Sequence, residues 1–222
     1  LLAGIKLKEA GIPFTIVDKQ SGVGGTWLAN RYPGCRVDIA SQYYTYSFEP
    51  TDHWEHHYAT QPEILQYLND VMARYQIAEH VRFDTEVTGA VWDETSATWR
   101  VQIRDAAGGA ETLTARGLIC AVGQFSNPVI PDIKGAKDFD GPSFHTADWD
   151  YDLDLAGKRV AVIGAGASGF QLVPAIADTA GHVDVYQRTA QWMAPNVNYH
   201  APVGDGARWA TRHLPYYGRW LR

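Results

Sequence analysis

Cysteine is almost missing from this chain: its 222 residues contain two, Cys35 and Cys120, far apart and in no metal-type spacing. That excludes a disulfide-stapled scaffold and a C-x-x-C redox pair, and it fits a reducing, cytoplasmic setting. Long apolar runs are also lacking; none approaches the roughly 18 residues that cross a bilayer. The opening residues lack the basic start, apolar stretch and small-residue cleavage site of a secretory signal. Nor is there an excess of positive charge. Nineteen Lys and Arg face 25 Asp and Glu, a net of −6, which argues against nucleic acid as a partner. At 45% hydrophobic and 20% charged residues the composition is that of a globular protein. At roughly 150 residues per domain, the length suggests one or two domains with a core of their own.

The order of segments points to an α/β protein built on nucleotide-binding units. Leu2, Ile5, Leu7 and Ala10 are spaced as a helix stopped by Gly11, and Pro13 to Asp18 forms a short apolar strand ending in an acid. A helix, a glycine and a strand ending in Asp form the second half of a βαβ nucleotide unit, in which the acid binds a ribose hydroxyl. The first strand and glycine turn of that unit belong about 20 residues before Asp18, so they are expected ahead of Leu1. Residues 21 to 48 read as a long ordered loop, a place where function collects.

Thr60-Gln61-Pro62-Glu63 has the form of a capping box opening a helix that carries Ile64, Leu65, Leu68, Val71, Met72 and Tyr75. Four strands are expected at 82–87, 90–92, 98–103 and 111–114, with Gly108-Gly109 at a hairpin turn, then a buried strand over Gly117–Gly123. The proline-bearing stretch 124–150 reads as a connector. The expected division is therefore 1–123, 124–150 and 151–222. The fold class is α/β with two Rossmann-like lobes, the first interrupted by a small β-sheet.

The sharpest local signal lies in the second lobe. The strand Lys158–Ile163 runs into Gly164-Ala165-Gly166-Ala167-Ser168-Gly169, then Phe170, Gln171 and a helix to about Asp178. In such a turn the first glycine permits the bend, the second lets a pyrophosphate approach the backbone, and the third lets helix and strand pack closely. The helix start then offers free N–H groups and a positive dipole end to the phosphates. After the next strand, Val183–Tyr186, an NAD site would carry Asp or Glu. This chain has Gln187-Arg188-Thr189, with Arg188 19 residues after Gly169. A guanidinium there pairs with a 2′-phosphate in a bidentate fashion, favouring NADPH over NADH.

Three further runs carry a family resemblance: Gly24-Gly25-Thr26-Trp27, Asn30-Arg31-Tyr32-Pro33-Gly34-Cys35-Arg36-Val37-Asp38, and Phe139-x-Gly141-x-x-x-His145-Thr146-x-x-Trp149-Asp150. Together they resemble the motifs of type I Baeyer–Villiger monooxygenases, and the last resembles that family's fingerprint. The run Tyr43 to Pro50 and the stretch His213 to Trp220 are similar to the 4-hydroxyacetophenone monooxygenase branch.

The resemblance implies FAD and NADPH as cofactors. It implies insertion of one oxygen atom of O2 beside a ketone carbonyl, through a flavin C4a-peroxide, to give an ester or lactone. Around FAD it places Asp18 on the ribose, Gly25, Thr26 and Trp27 along the flavin, and Tyr44 in contact with it. It gives Val87 to the adenine, and sets Asp38 at the catalytic centre, partnered by an arginine from beyond residue 222. It assigns Gly164 to Gln171 to the NADP pyrophosphate, Arg188 and Thr189 to the 2′-phosphate, and His145 and Trp149 to coupling between lobes. An N- or S-oxygenating flavin monooxygenase, a flavin NADPH oxidase or reductase on the same scaffold, and an inert nucleotide-binding module are the alternatives.

Other features are given plainer roles. His53, His56 and His57 beside Glu55 read as a solvated loop rather than a metal cluster, and Cys35 as a packing residue. The basic aromatic stretch Arg208, Trp209, Arg212, Arg219, Trp220 and Arg222 reads as a packing surface rather than a membrane-binding one.

Overall fold

A computed structural model describes residues 1–221; Arg222 lies outside the described residues. The chain divides into two compact units, Leu1–Leu28 with Leu68–Asn127, and Ala29–Tyr67 with Pro128 onward.

In the first unit, helix α1 (Leu2–Glu9) ends as expected at Gly11, whose φ of +66° suits a residue without a Cβ. Gly4 lies on the buried face of α1, where an added Cβ would stand 2.9 Å from Ile16 Cδ1, so the helix sits directly on strand β1 (Ile16–Val17). Strand β1 is shorter than the expected run from Pro13. It pairs in parallel with β2 (Val81–Arg82), Ile16 opposite Val81. The core of this unit gathers Ile5, Val71, Ile77, Val101 and Ile103.

Two of the expected strands, 82–87 and 90–92, are largely one. Strand β3 (Thr85–Asp93) runs through with a bulge between Val87 and Gly89, and β4 (Thr98–Asp105) and β5 (Ala110–Ala115) complete an antiparallel three-stranded sheet. A Cβ on Gly89 would meet only the far end of the exposed Gln102 side chain, at 2.9 Å, which is free to swing aside. The β4–β5 turn is the expected one: Gly108 has φ +88°, and Gly109 N–H donates to Asp105 Oδ1 at 2.8 Å. Gly117–Gly123, by contrast, is not a strand. Its apolar residues face outward, with Ile119 62% and Val122 72% exposed. A continuous apolar run becomes a ladder strand only where a neighbour accepts its backbone hydrogen bonds, and no such neighbour pairs with it among the described residues.

Helix α3 (Gln61–Arg74) begins at the capping box, with residues 61–67 in the second unit and 68–74 in the first; the four-residue helix α2 (Thr26–Ala29) lies earlier in the long loop. Glu63 Oε2 accepts from both the Thr60 backbone N–H and hydroxyl at 2.8 Å. Strand β6 (Arg159–Ile163), helix α4 (Ala167–Ile176) and strand β7 (His182–Tyr186) make one βαβ step. The strands are parallel, with Arg159 opposite His182 and Ile163 opposite Tyr186. Pro174 sits inside α4 without ending it. Val162, Leu172 and Ile176 pack under α4, while Tyr32, Val37, Trp54, Ala59, Ile64 and Tyr67 fill the rest of the core. The 124–150 stretch is irregular, broken only by 3-10 turns at Ala136–Asp138 and Thr146–Asp148. Helices α5 (Asp205–His213) and α6 (Tyr217–Trp220) occupy the aromatic stretch, which carried no helix expectation. No described helix is long and apolar enough to cross a membrane.

Candidate functional site

The second unit's glycine turn shows three glycines held for three reasons. Gly164 has φ +105°, a backbone most side chains avoid, and its N–H donates to the Tyr186 carbonyl at 2.8 Å, tying the turn to the end of β7. Gly166 is the N-cap of α4, and a Cβ there would meet no atom within 4 Å. Gly169 is buried, and a Cβ on it would lie 2.3 Å from the Gly164 carbonyl oxygen. The helix start has no side-chain cap and no acidic residue in its first turn. It therefore presents unspent N–H groups and a positive end beside open space, an arrangement that suits a diphosphate. Ala165, Ala167 and Ser168 fill the positions between.

Past β7 the chain turns through Gln187, Arg188 and Thr189, all exposed. Arg188 makes no hydrogen bond or ion pair within the described residues, and the Thr189 carbonyl accepts from Gln191 Nε2 at 3.2 Å. A groove of about 390 Å³ lies along this edge, lined by Ala165, Gly169, Phe170, Val185, Gln187 and Met193 among others.

The loop that carries Asp38 belongs to the same unit. Gly34 (φ +82°) lies against α4, where a Cβ would stand 2.4 Å from the Gln171 carbonyl oxygen. Cys35 and Val37 are buried, and the Val37 N–H donates to the Ala59 carbonyl. Asp38 itself is exposed. Gln171 is buried, and its side chain bonds to Tyr32, Arg36 and Tyr199. Burial pushes the Tyr32 and Tyr199 hydroxyls and the Cys35 thiol up in pKa. Cys35 thus stays a protonated packing residue, a poor nucleophile. Tyr44, 37% exposed, follows a 3-10 turn (Ser41–Tyr43) anchored by buried Ser41, whose hydroxyl donates to the carbonyls of His56 and His57.

The fingerprint residues pack in the same unit. His145 caps its 3-10 turn by accepting from the Ala147 N–H at 3.1 Å. Trp149 meets Phe144 edge-on at 5.3 Å and Tyr151 at 6.5 Å, and the Tyr151 hydroxyl donates to the Arg31 carbonyl. Gly141 lies under the Phe139 ring, which a Cβ would meet at 2.5 Å. His56 hydrogen-bonds Glu63 at 2.9 Å, so it serves the capping box, and no metal-type group of His, Cys, Asp or Glu occurs among the described residues.

In the first unit, Asp18 follows β1, and its Oδ1 accepts from the Gln20 N–H at 3.0 Å. Gly24 and Gly25 have φ of +137° and +53°, and a Cβ on Gly25 would meet nothing within 4 Å. These leave bare backbone just before Thr26 and Trp27, as a flat ring stacked closely on the chain would need. Val87 sits at the bulge of β3, 46% exposed.

Residues that sequence reasoning left without a role, Tyr32 and Tyr199, are brought together with Gln171. The one available signal was a carboxamide set inside the apolar run Phe170-Gln171-Leu172-Val173.

The profile of the pyridine nucleotide-disulphide oxidoreductase family matches residues 1–204. A Baeyer-Villiger monooxygenase of Streptomyces coelicolor is 41% identical over 215 residues, covering 96% of this chain and 40% of the relative. The phenazine N-monooxygenase PhzNO1 of Lysobacter antibioticus is 42% identical over 191 residues, 84% of this chain and 35% of the relative. Among solved structures, OTEMO in complex with FAD and NADP superposes with a TM-score of 0.86 at 37% identity, covering 94% of this chain and 40% of that one. The chain thus spans well under half the length of the proteins it matches.

Proposed function

The chain belongs to the pyridine nucleotide-disulphide oxidoreductase family, and from that premise we propose that it works within an FAD- and NADPH-dependent monooxygenase of Baeyer–Villiger type, which places one oxygen atom of O2 beside a ketone carbonyl to give an ester or lactone. In this reading residues 1–123 serve FAD, 124–150 connect the lobes, 151–222 open the NADPH lobe, and the enzyme acts in the cytoplasm on a small ketone. The observation that carries it is the uncapped start of α4 on the Gly164–Gly169 turn, followed past β7 by exposed Arg188, which has no partner among the described residues.

When bound, NADPH supplies a hydride and FAD activates oxygen. The chain supplies binding, orientation and charge. The N–H groups opening α4 and the bare backbone of Gly164 to Gly166 hold the pyrophosphate. Arg188 takes the 2′-phosphate with Thr189 beside it. Gly25, Thr26 and Trp27 lie along the flavin and Asp18 holds its ribose, with Val87 at the adenine and Tyr44 against the flavin. Asp38 holds a negative charge near the reacting rings, and His145 and Trp149 set the hinge between lobes.

The test uses the full-length protein with NADPH, O2 and an aryl ketone, following coenzyme oxidation and product together. An ester formed in step with NADPH consumption supports the reading. Oxidation of an amine, a sulfide or a phenazine nitrogen with no ester moves the protein to the N- and S-oxygenating group, a reading the Lysobacter relative favours. NADPH consumption without oxygenated product points to an oxidase. With Cys35 and Cys120 both free, a disulfide reductase is the weakest alternative.

A further inference from the structure

Gln171 stands in the second turn of α4, 7% exposed, and its carboxamide is fully used. Oε1 accepts from the Tyr32 hydroxyl at 2.9 Å and from the Arg36 N–H at 3.4 Å. Nε2 donates to the Arg36 carbonyl and to the Tyr199 hydroxyl, both at 2.8 Å. A carboxamide has two donors and two acceptor sites, so none is left for a ligand. The orientation is fixed too, because a backbone N–H only donates and a carbonyl only accepts.

The two bonds to Arg36 copy a strand ladder. On its other edge the same segment already pairs with chain: Arg36 bridges Thr60, the Val37 N–H donates to the Ala59 carbonyl, and the Gln61 N–H donates to the Cys35 carbonyl. Residues 35 to 37 are thus held on both edges, by backbone on one side and by a single side chain on the other. Gly34 completes the seat, since any Cβ there would strike the Gln171 backbone. Two residues beyond Arg36 comes Asp38, exposed.

We propose that Gln171 is a positioning residue: by clamping the backbone of Arg36 it fixes the direction of Asp38 relative to the glycine turn that opens α4. Gln171 therefore does not touch the coenzyme. It makes the phosphate-holding turn and the Asp38 carboxylate one rigid body, so that a coenzyme seated by its diphosphate meets Asp38 at a set distance. The role of Asp38 in this rests on the monooxygenase reading; the clamp does not.

The test compares the FAD-loaded full-length protein with Gln171→Met, Gln171→Glu and the milder Tyr32→Phe. Hydrogen exchange over residues 32–38 should quicken roughly tenfold in Gln171→Met, while β6 keeps its protection. Flavin reduction by NADPH should slow roughly tenfold at saturation, with the Michaelis constant for NADPH within about twofold. Adding Asp38→Ala to Gln171→Met should cost little more than Asp38→Ala alone, because Gln171 acts on flavin reduction only through Asp38. Gln171→Glu, which keeps the shape but turns a lone pair on the Arg36 carbonyl, should resemble Gln171→Met. Tyr32→Phe should fall between them and wild type, and it decides the matter if a Gln171 variant does not fold. Unchanged exchange over 32–38 overturns the proposal, as does a raised Michaelis constant at unchanged turnover, which would make Gln171 a coenzyme ligand. If the wild-type protein takes no hydride from NADPH, the monooxygenase reading falls, and the exchange result alone decides the clamp.

Discussion

The α-carbon of Gly169 faces the carbonyl of Gly164 so closely that a methyl group on it would sit 2.3 Å from that oxygen. The turn and the helix it opens are locked backbone against backbone, and the third glycine is a packing requirement. Gly166, three residues earlier, has open space where its side chain would be and an extended φ of −71° that alanine tolerates.

The two glycines should therefore fail differently. Gly169→Ala forces the turn apart and should lower stability by about 1–3 kcal/mol, the range for overpacking. Gly166→Ala should cost less than about 1 kcal/mol in stability, the scale of a changed N-cap, yet weaken NADPH binding by crowding the phosphate. Urea denaturation and coenzyme titration on both variants separate the effects. Equal losses of stability would contradict this division.

Arg188→Ala should weaken NADPH far more than NADH. In the proposed reading the guanidinium would meet a doubly charged group that NADH lacks, and losing one charge-assisted contact costs roughly 1.5–3 kcal/mol, about ten- to a hundredfold in affinity. Thr189 carries no charge and should not compensate. Flavin content should stay constant. A rise in both Michaelis constants by the same factor would remove Arg188 from the 2′-phosphate.

Glu63 gives a pH dependence. Partial burial works against its charge, but the hydrogen bonds from the Thr60 backbone and hydroxyl, the Glu55 N–H and the His56 ring outweigh it, leaving the folded carboxyl below its ordinary value of 4.5. A depressed carboxyl stabilises the fold above its unfolded pKa and loses that contribution as pH falls through the folded one. Glu63→Gln should then cost about 0.5–2 kcal/mol at pH 7, the size of a cap, and the gap to wild type should close on acidification below pH 4.5. Thermal melts across that range measure it; a gap that widens in acid would reverse the sign.

Gly34→Ala should destabilise as strongly as Gly169→Ala. The residue has φ +82°, and its Cβ would meet the Gln171 carbonyl at 2.4 Å and Ala175 Cβ at 3.0 Å. Backbone strain of about 1–3 kcal/mol adds to the clash, and denaturant midpoints read the sum. A stable Gly34→Ala protein would mean that α4 and the loop separate easily.

Local chemistry was what the sequence made legible. The strand, glycine turn and helix around Gly164 were readable because three glycines at fixed spacing have few other uses. The capping box at Thr60 was readable because Thr60 and the Glu63 carboxylate that accepts from it lie within four residues. Gly117–Gly123 misled, since an apolar run looks the same whether or not a neighbouring strand accepts its hydrogen bonds. Helices α5 and α6 were hidden by the prominence of Trp and Arg, although Ala207, Ala210, Thr211 and Leu214 carry helical spacing. The contacts of Gln171 could not be read at all. Tyr32 and Tyr199 lie 139 and 28 residues from it, and no local pattern links them.

Gly34 sits inside a run whose resemblance points to flavin chemistry, yet what excludes every other side chain there is the backbone of α4. An alanine scan of that run scored on activity alone would count Gly34 as a flavin contact. The glycine is answering to a surface more than a hundred residues downstream. Exchanging the loop between relatives without its matching α4 should therefore fail even where every flavin-facing residue is kept, and the two segments would have to be grafted as a pair.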